Sequence, residues 1–342
     1  MAIILVIAGS WAACSSEDAM SGSTPVAASG QQRADHVDIP TAVVPIPDGY
    51  IDESSQPGRL ERIDYQAPAP DDPSRMMDKY AIVYLPYGYD WSPQERYNIL
   101  YLMHGMGGWA GGQLGTIEEP NRNKRTIDNL IAHGDMEPMI LVMASYYPDN
   151  EETQTNDFDA QLTLDFGTEL RDYLMPAVEG TYRTYAEETT PEGFRASREH
   201  RAFGGFSMGG VTTWYRLCDS LDYFKYFIPV SGSLLWGVNY GPFLSGDKVA
   251  SQIVEAVEEQ GFGRDDYFVF TIAGSEDFGL DVVAEQAESL SRHQDYFEFD
   301  DSAGNANMVF LVSEGEGHDY IGYGHALYMA VPHISAMMNA GE

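Results

Sequence analysis

The chain has 342 residues, 44% of them hydrophobic, enough for one large α/β domain with a sizeable core or for two small ones. Its charge is lopsided: 19 Lys and Arg face 53 Asp and Glu, a formal net charge of −34, and only four of the basic residues are lysine. Such a surface repels phosphate backbones and anionic lipids, so it excludes nucleic acid as a partner and favours solubility in a salty or extracellular medium.

In chain order, the first feature is "MAIILVIAGSWAACSSEDAM", whose apolar run from Ala2 to Ala13 is too short to span a bilayer. The run ends in small residues, and Cys14 and a polar Ser-Ser pair follow it. This resembles a bacterial lipoprotein signal, and that resemblance implies that Cys14 is lipidated and holds the protein at the cell surface. A plain secretory signal, leaving an extracellular protein, is the alternative. Residues 15–57 are rich in Ser, Gly, Ala, Pro and Asp without periodicity and read as a flexible tether. Besides Cys14 the only cysteine is Cys218, so no disulfide is expected and Cys218 reads as a buried structural thiol.

From Gly58 to the C-terminus the pattern becomes dense. "RLERIDYQAP" and residues 81–86 have no helix between them and suggest an antiparallel edge. Short apolar runs then recur at 98–105, 139–145, 200–206, 226–232, 267–274 and 308–315. Helix-like segments lie among them at Arg122–His133, Phe166–Tyr185, Val211–Leu221, Val249–Gly261, Val282–Gln294 and His325–Met338. Continuous apolar strands alternating with amphipathic helices signal a mostly parallel sheet covered on both faces. The expected domains are a signal segment (1–14), a tether (15–57) and a single three-layer α/β domain (58–342).

Within that domain, Gly205-Phe206-Ser207-Met208-Gly209 places a serine where a strand reverses into a helix. Glycines at 205, 209 and 210 leave room for a sharp turn that exposes Ser207 above the sheet. The turn also aims the first helical amides at any oxyanion forming there. An idle serine in a tight βα turn is the bland alternative, and it loses ground as partners accumulate. In an α/β-hydrolase arrangement the acid and the histidine follow later strands. "YFVFTIAGSEDFG" ends in Glu276 and Asp277, and "MVFLVSEGEGHDY" ends in His318. Of the eight histidines, His318 alone sits in a Gly-flanked loop directly after a late strand, with His325 next in line. For the acid, Asp277 is preferred over Glu276, and Asp319 is too close in sequence to reach the ring. The second oxyanion donor is expected after an early strand: "MHGMGG" supplies the amide of Met106 to join that of Met208. Trp109 after the oxyanion loop, Trp236 after "PVSGSLL" and Tyr320 beyond the histidine are candidates for stacking on a planar acyl group or on sugar rings.

Taken together, "VYLPYGYD", "NILYLMHGMGG", "RAFGGFSMGG", "AGSEDFG" and "EGEGHDY" resemble, in order and spacing, the esterase family typified by bacterial feruloyl and acetyl xylan esterases (carbohydrate esterase family 1). The resemblance spans about residues 58–340. It implies an α/β-hydrolase fold, Ser207 as nucleophile, His318 as base, Asp277 as its acid, and Met106 and Met208 as oxyanion donors. It further implies serine carboxylesterase chemistry through an acyl-enzyme, with no metal and no organic cofactor. The chain departs from the family at Gly315-Glu316-Gly317-His318, where paired glycines are frequent, and in lacking a tryptophan that often follows the histidine.

The expected activity is release of feruloyl or related hydroxycinnamoyl groups from plant polysaccharide of the arabinoxylan type, by a monomer. An acetyl xylan esterase is the neighbouring alternative. A siderophore esterase ranks below it, since an anionic substrate opposes the protein's charge. A non-catalytic glycan-binding surface lipoprotein is the reading from another class, supported by acid-rich stretches such as "DNEETQTNDFD" (149–159).

Overall fold

The computed structural model describes residues 37–69, 72–147, 160–236 and 244–340. Eight strands form its sheet: β1 (Arg59–Ala69), β2 (Asp72–Leu85), β3 (Asn98–Met103), β4 (Met139–Ala144), β5 (Arg201–Phe206), β6 (Tyr226–Val230), β7 (Phe268–Gly274) and β8 (Met308–Ser313). Their order in the sheet is β1-β2-β4-β3-β5-β6-β7-β8. β1 and β2 form an antiparallel hairpin, β2 runs antiparallel to β4, and all other neighbours are parallel. The sheet is therefore mostly parallel with an antiparallel N-terminal edge. Exposed pairs Arg59–Glu61 and Arg62–Asp64 lie along β1, and edge charges of this kind discourage pairing with another chain.

Every residue of β3, β4, β5 and β7 is buried. Alternation assigns them to two core layers, Ile99, Tyr101 and Met103 facing one side and Leu100 and Leu102 the other. One layer is covered by α1 (Arg122–His133) and by the last helix of the chain; the other by the remaining long helices. α1 begins and ends where the sequence pattern places it, because Asn121 caps its first amides and Gly134 closes it at φ 79°.

The segment expected as one helix over 166–185 is composite. α2 (Ala160–Glu169) passes through a π-helical turn (Leu170–Leu174) into α3 (Met175–Glu179). Beyond Gly180 the chain leaves the helix and lies beside β3, where Arg96 donates to the Thr184 carbonyl at 2.6 Å. α4 (Pro191–Ala196) has no counterpart among the expected helices, although Thr190 as N-cap with Pro191 at the first position is a start signal. α5 (Met208–Asp219), α6 (Gly246–Glu259) and α7 (Leu280–Leu290) match expected helices, each starting a few residues early. α8 (Tyr320–Asn339) starts five residues before the expected His325, because Asp319 accepts from the Ile321 and Gly322 amides at 2.8 and 3.0 Å and nucleates the turn.

Residues 37–57, read from composition as part of a tether, are instead packed on the domain. Ile39, Val43 and Tyr50 lie against the core layer formed with α1 and α8. Arg125 donates to the Ile51 carbonyl at 2.7 Å, and Asn129 donates to the carbonyls of Tyr50 and Asp52 at 3.1 and 3.0 Å. Composition missed this because two polar side chains of α1, not an apolar stripe, hold the backbone. The apolar run from Ala2, Cys14 and the stretch 15–36 lie outside the described residues, as does the acid-rich 149–159. No described helix is long and apolar enough to cross a membrane.

Candidate active site

Ser207 stands between β5 and α5 at φ 56° and ψ −114°, a left-handed conformation that a side chain adopts only under constraint. The constraint is steric and local. A Cβ at Gly209 would lie 2.2 Å from the Met103 carbonyl oxygen, and one at Gly205 2.6 Å from the Gly209 carbonyl carbon. The Ser207 amide donates to the Val230 carbonyl at 2.9 Å, which fixes the reversal onto β6. The glycines thus let β5, β3 and α5 crowd together, and the serine hydroxyl is left pointing off the sheet edge.

Two later loops converge on it. His318 Nε2 lies 2.7 Å from Ser207 Oγ, and His318 Nδ1 lies 2.8 Å from Asp277 Oδ1. A carboxylate only accepts, so Nδ1 carries the proton and donates to Asp277, leaving Nε2 to accept from the serine hydroxyl. The loops are fastened to each other: the Ser275 amide donates to the Ser313 carbonyl at 2.8 Å, the Glu276 amide to the Glu316 carbonyl at 2.9 Å, and the Gly315 amide to Ser275 Oγ at 2.8 Å. Gly274 permits this, since a Cβ there would sit 2.0 Å from the Glu316 oxygen.

Asp277 is buried while its neighbour Glu276 is exposed, which separates the two candidate acids. Burial pushes the Asp277 carboxyl up, but hydrogen bonds from His318, Ser231 and the Gly279 amide outweigh it and hold the group below its usual value. The Gly279 bond is 2.6 Å long. Asp319 is occupied as the cap of α8, and His325 is paired with Glu316 at 2.5 Å, so neither competes at Ser207.

The oxyanion side is built from the loop after β3. Gly107 adopts φ 68°, and the Gly108 amide closes the turn on the Gly105 carbonyl at 3.0 Å, leaving Met106 at its tip with a half-exposed side chain. Met208, with a buried side chain, is the first residue of α5, where amides have no intrahelical acceptor. Beneath the loop is a support that sequence reasoning did not single out. Buried His104 donates from Nδ1 to the Gly105 carbonyl at 2.7 Å and accepts at Nε2 from Ser145 Oγ at 2.9 Å. Its ring stacks on Tyr147, whose hydroxyl receives the Gly107 amide at 3.3 Å. Burial pushes the His104 imidazole down to about 4, against the opposing pull of the Gly105 carbonyl, so it is neutral near pH 7.

The three aromatic candidates occupy different places. Trp109 is folded over its own loop, its ring lying where a Cβ on Gly111 would be only 2.3 Å away. Tyr320 packs on Phe206 with ring centroids 5.3 Å apart, and its hydroxyl is buried against Gly108, so it buttresses the oxyanion loop from below. Burial pushes its phenol up to about 12. The backbone of Trp236 closes a short 3-10 turn, and its side chain is outside what the structure describes. Phe278, absent from the sequence reading, lies against the His318 ring at 4.2 Å between centroids and is 78% exposed. Its signal was available: an aromatic directly after the acid in a glycine-bounded loop. Among the described residues no cluster of three or more His, Cys, Asp or Glu side chains is placed to hold a metal ion.

A serine on a strained strand-to-helix turn, an imidazole, a buried carboxylate and a glycine-rich turn with Met106 at its tip, above a mostly parallel sheet with helices on both faces, define a serine hydrolase of the α/β-hydrolase fold. The family described as "Putative esterase" matches residues 75–332. The chain belongs to that esterase family and is a serine carboxylic ester hydrolase. It is 36% identical over 291 residues to endo-1,4-beta-xylanase Y of Acetivibrio thermocellus, an alignment covering 85% of this chain and 24% of the relative. It is 33% identical over 160 residues to an endo-1,4-beta-xylanase/feruloyl esterase of Xylanibacter ruminicola, covering 44% of this chain and 19% of that one. The chain thus spans a quarter or less of the length of these curated relatives. Among solved structures, a mutant of the feruloyl esterase module from Clostridium thermocellum complexed with sinapinate matches with a TM-score of 0.72 and 35% identity, over 86% of this chain and 94% of that one.

Proposed function

We propose that this protein hydrolyses hydroxycinnamoyl esters, feruloyl esters foremost, on plant cell-wall polysaccharide of the arabinoxylan type. The observation that carries the chemistry is the unbroken hydrogen-bonded chain from Ser207 Oγ through His318 to Asp277. The acyl class rests on the 35% identity to a feruloyl esterase module that binds sinapinate.

In this mechanism Ser207 Oγ attacks the ester carbonyl carbon while His318 Nε2 takes the hydroxyl proton. The carbonyl π electrons move onto oxygen, where the amides of Met106 and Met208 receive the charge. Collapse of that intermediate breaks the bond to the sugar oxygen, which takes the proton from Nε2 and leaves as the alcohol. Water then attacks the acyl-enzyme with His318 again as base, and the hydroxycinnamic acid departs. Asp277 stays ionised throughout, holding the tautomer and facing the imidazolium. Phe278, exposed beside His318, offers a ring face to the planar acyl group.

The test is a panel of methyl ferulate, methyl sinapinate, acetylated xylan and a short acetate ester, with wild type and Ser207→Ala. Turnover of the hydroxycinnamates, lost by at least about a thousandfold in Ser207→Ala, is expected. Turnover of acetate esters alone would replace the reading by an acetyl xylan esterase. No turnover, with no fluorophosphonate adduct at Ser207, would leave a glycan-binding protein.

A further inference from the structure

The largest exposed aromatic of the described surface has no part in the site above. Trp91 is 74% exposed, and beside it Tyr87 is 39% exposed. An exposed indole is ordinarily a free side chain, but this one is held in place. It ends a short 3-10 turn (Tyr89–Trp91), and its amide donates to the Gly88 carbonyl at 2.9 Å. Gly88 has φ 83°, and a Cβ there would lie 2.9 Å from Trp91 Cε3, so one face of the indole rests on the glycine backbone. Tyr87 meets it edge to face at 4.9 Å between centroids and 79° between planes. The turn is pinned from beneath by buried Tyr89, whose hydroxyl accepts the Arg183 amide at 2.9 Å. At its side, Arg59 bonds Asp90 at 2.8 Å and Glu61 at 2.6 Å, all three groups solvent-accessible. One indole face stays open, next to charged donors and acceptors.

We propose that Trp91 and Tyr87 form a second, non-catalytic binding site for a neutral pyranose polymer. Three observations select that ligand class. A flat, rigid, open ring suits the apolar C–H face of a sugar, and the Arg59–Asp90 pair suits its hydroxyls. The net charge of −34 disfavours acidic partners and polyanions. The reading of the active site, on which this inference rests, makes such a polymer the substrate.

Location decides what the platform does. β2 runs antiparallel to β4, so the turn after β2 lies at the amino ends of the parallel strands, whereas Ser207, Asp277 and His318 follow carboxyl ends. About 20 Å, the length of a six-residue strand, separates the two ends. The platform therefore does not hold the ester being cleaved. It grips another stretch of the same material and raises the local concentration of ester groups.

The experiment is adsorption to insoluble wheat arabinoxylan in a Ser207→Ala background, which removes turnover, comparing it with the same protein carrying Trp91→Ala or Trp91→Phe. We expect adsorption to weaken about tenfold with Trp91→Ala and to be largely kept with Trp91→Phe. Equal adsorption by all three would overturn the proposal. So would a protein that sediments as a dimer and becomes a monomer with Trp91→Ala, since a second copy would then be what covers the ring. Esterase activity is read separately with methyl ferulate, so a protein that adsorbs through Trp91 without turning over that ester would keep this inference and end the catalytic one.

Discussion

Ser207 carries two burdens at one position, nucleophile and strained turn residue. At φ 56° and ψ −114° the backbone suits glycine far better than any L side chain. Ser207→Gly is therefore expected to unfold at higher denaturant than Ser207→Ala by about 1–2 kcal/mol, although both lack the hydroxyl. Equal stabilities in urea titrations would show that the turn is relaxed. Asp277 adds a pH dependence whose sign follows from its environment. Its carboxyl is held below the ordinary value, so it contributes stability present above the unfolded value of about 3.9 and lost as pH falls through the folded value. The stability gap between wild type and Asp277→Asn should then be constant above about pH 5 and narrow as pH falls below about 4, read by chemical unfolding across that range. A gap that widens on acidification would contradict the assigned hydrogen bonds.

Among elements, the segment 37–57 shows how a polar stretch becomes structure. It has no periodicity, yet α1 reaches out with Arg125 and Asn129 to satisfy its carbonyls, and Tyr50 packs on His133 with ring centroids 4.7 Å apart. Its continuation is tied in as well: Lys124 donates to the Gly58 carbonyl at 2.5 Å while Asp128 takes the Gly58 amide at 2.8 Å. A chain starting at residue 58 is expected to be about 2–4 kcal/mol less stable than one starting at residue 37, from lost apolar burial and unpaired side chains on α1. Matching urea midpoints for the two would show that the segment merely rests on the surface. The loops after β7 and β8 make the complementary point. Each is short and weakly patterned, and their three mutual hydrogen bonds, not their own residues' preferences, give His318 its reach.

At the scale of the whole molecule, 53 acidic residues against 19 basic ones make self-repulsion a standing cost to the compact state. Raising ionic strength from about 0.01 M to about 1 M shortens the screening length from about 30 Å to about 3 Å and should raise Tm by a few degrees. A Tm that falls with added sodium chloride would mean that favourable ion pairs dominate instead. Part of what the molecule is could be read from its residues alone. The parallel sheet followed from apolar runs alternating with amphipathic helices, and the elbow followed from glycines within a few positions of Ser207, because both depend on contacts between near neighbours in the chain. The preference for Asp277 over Glu276 was legible in the sequence, but the burial that separates them, the use of Asp319 as a helix cap and of Glu316 as partner to His325, and the presence of Phe278 at the rim were decided only in three dimensions. Ser207 and His318 are 111 residues apart, and what joins them is the packing of three separate strand ends, which no local pattern encodes.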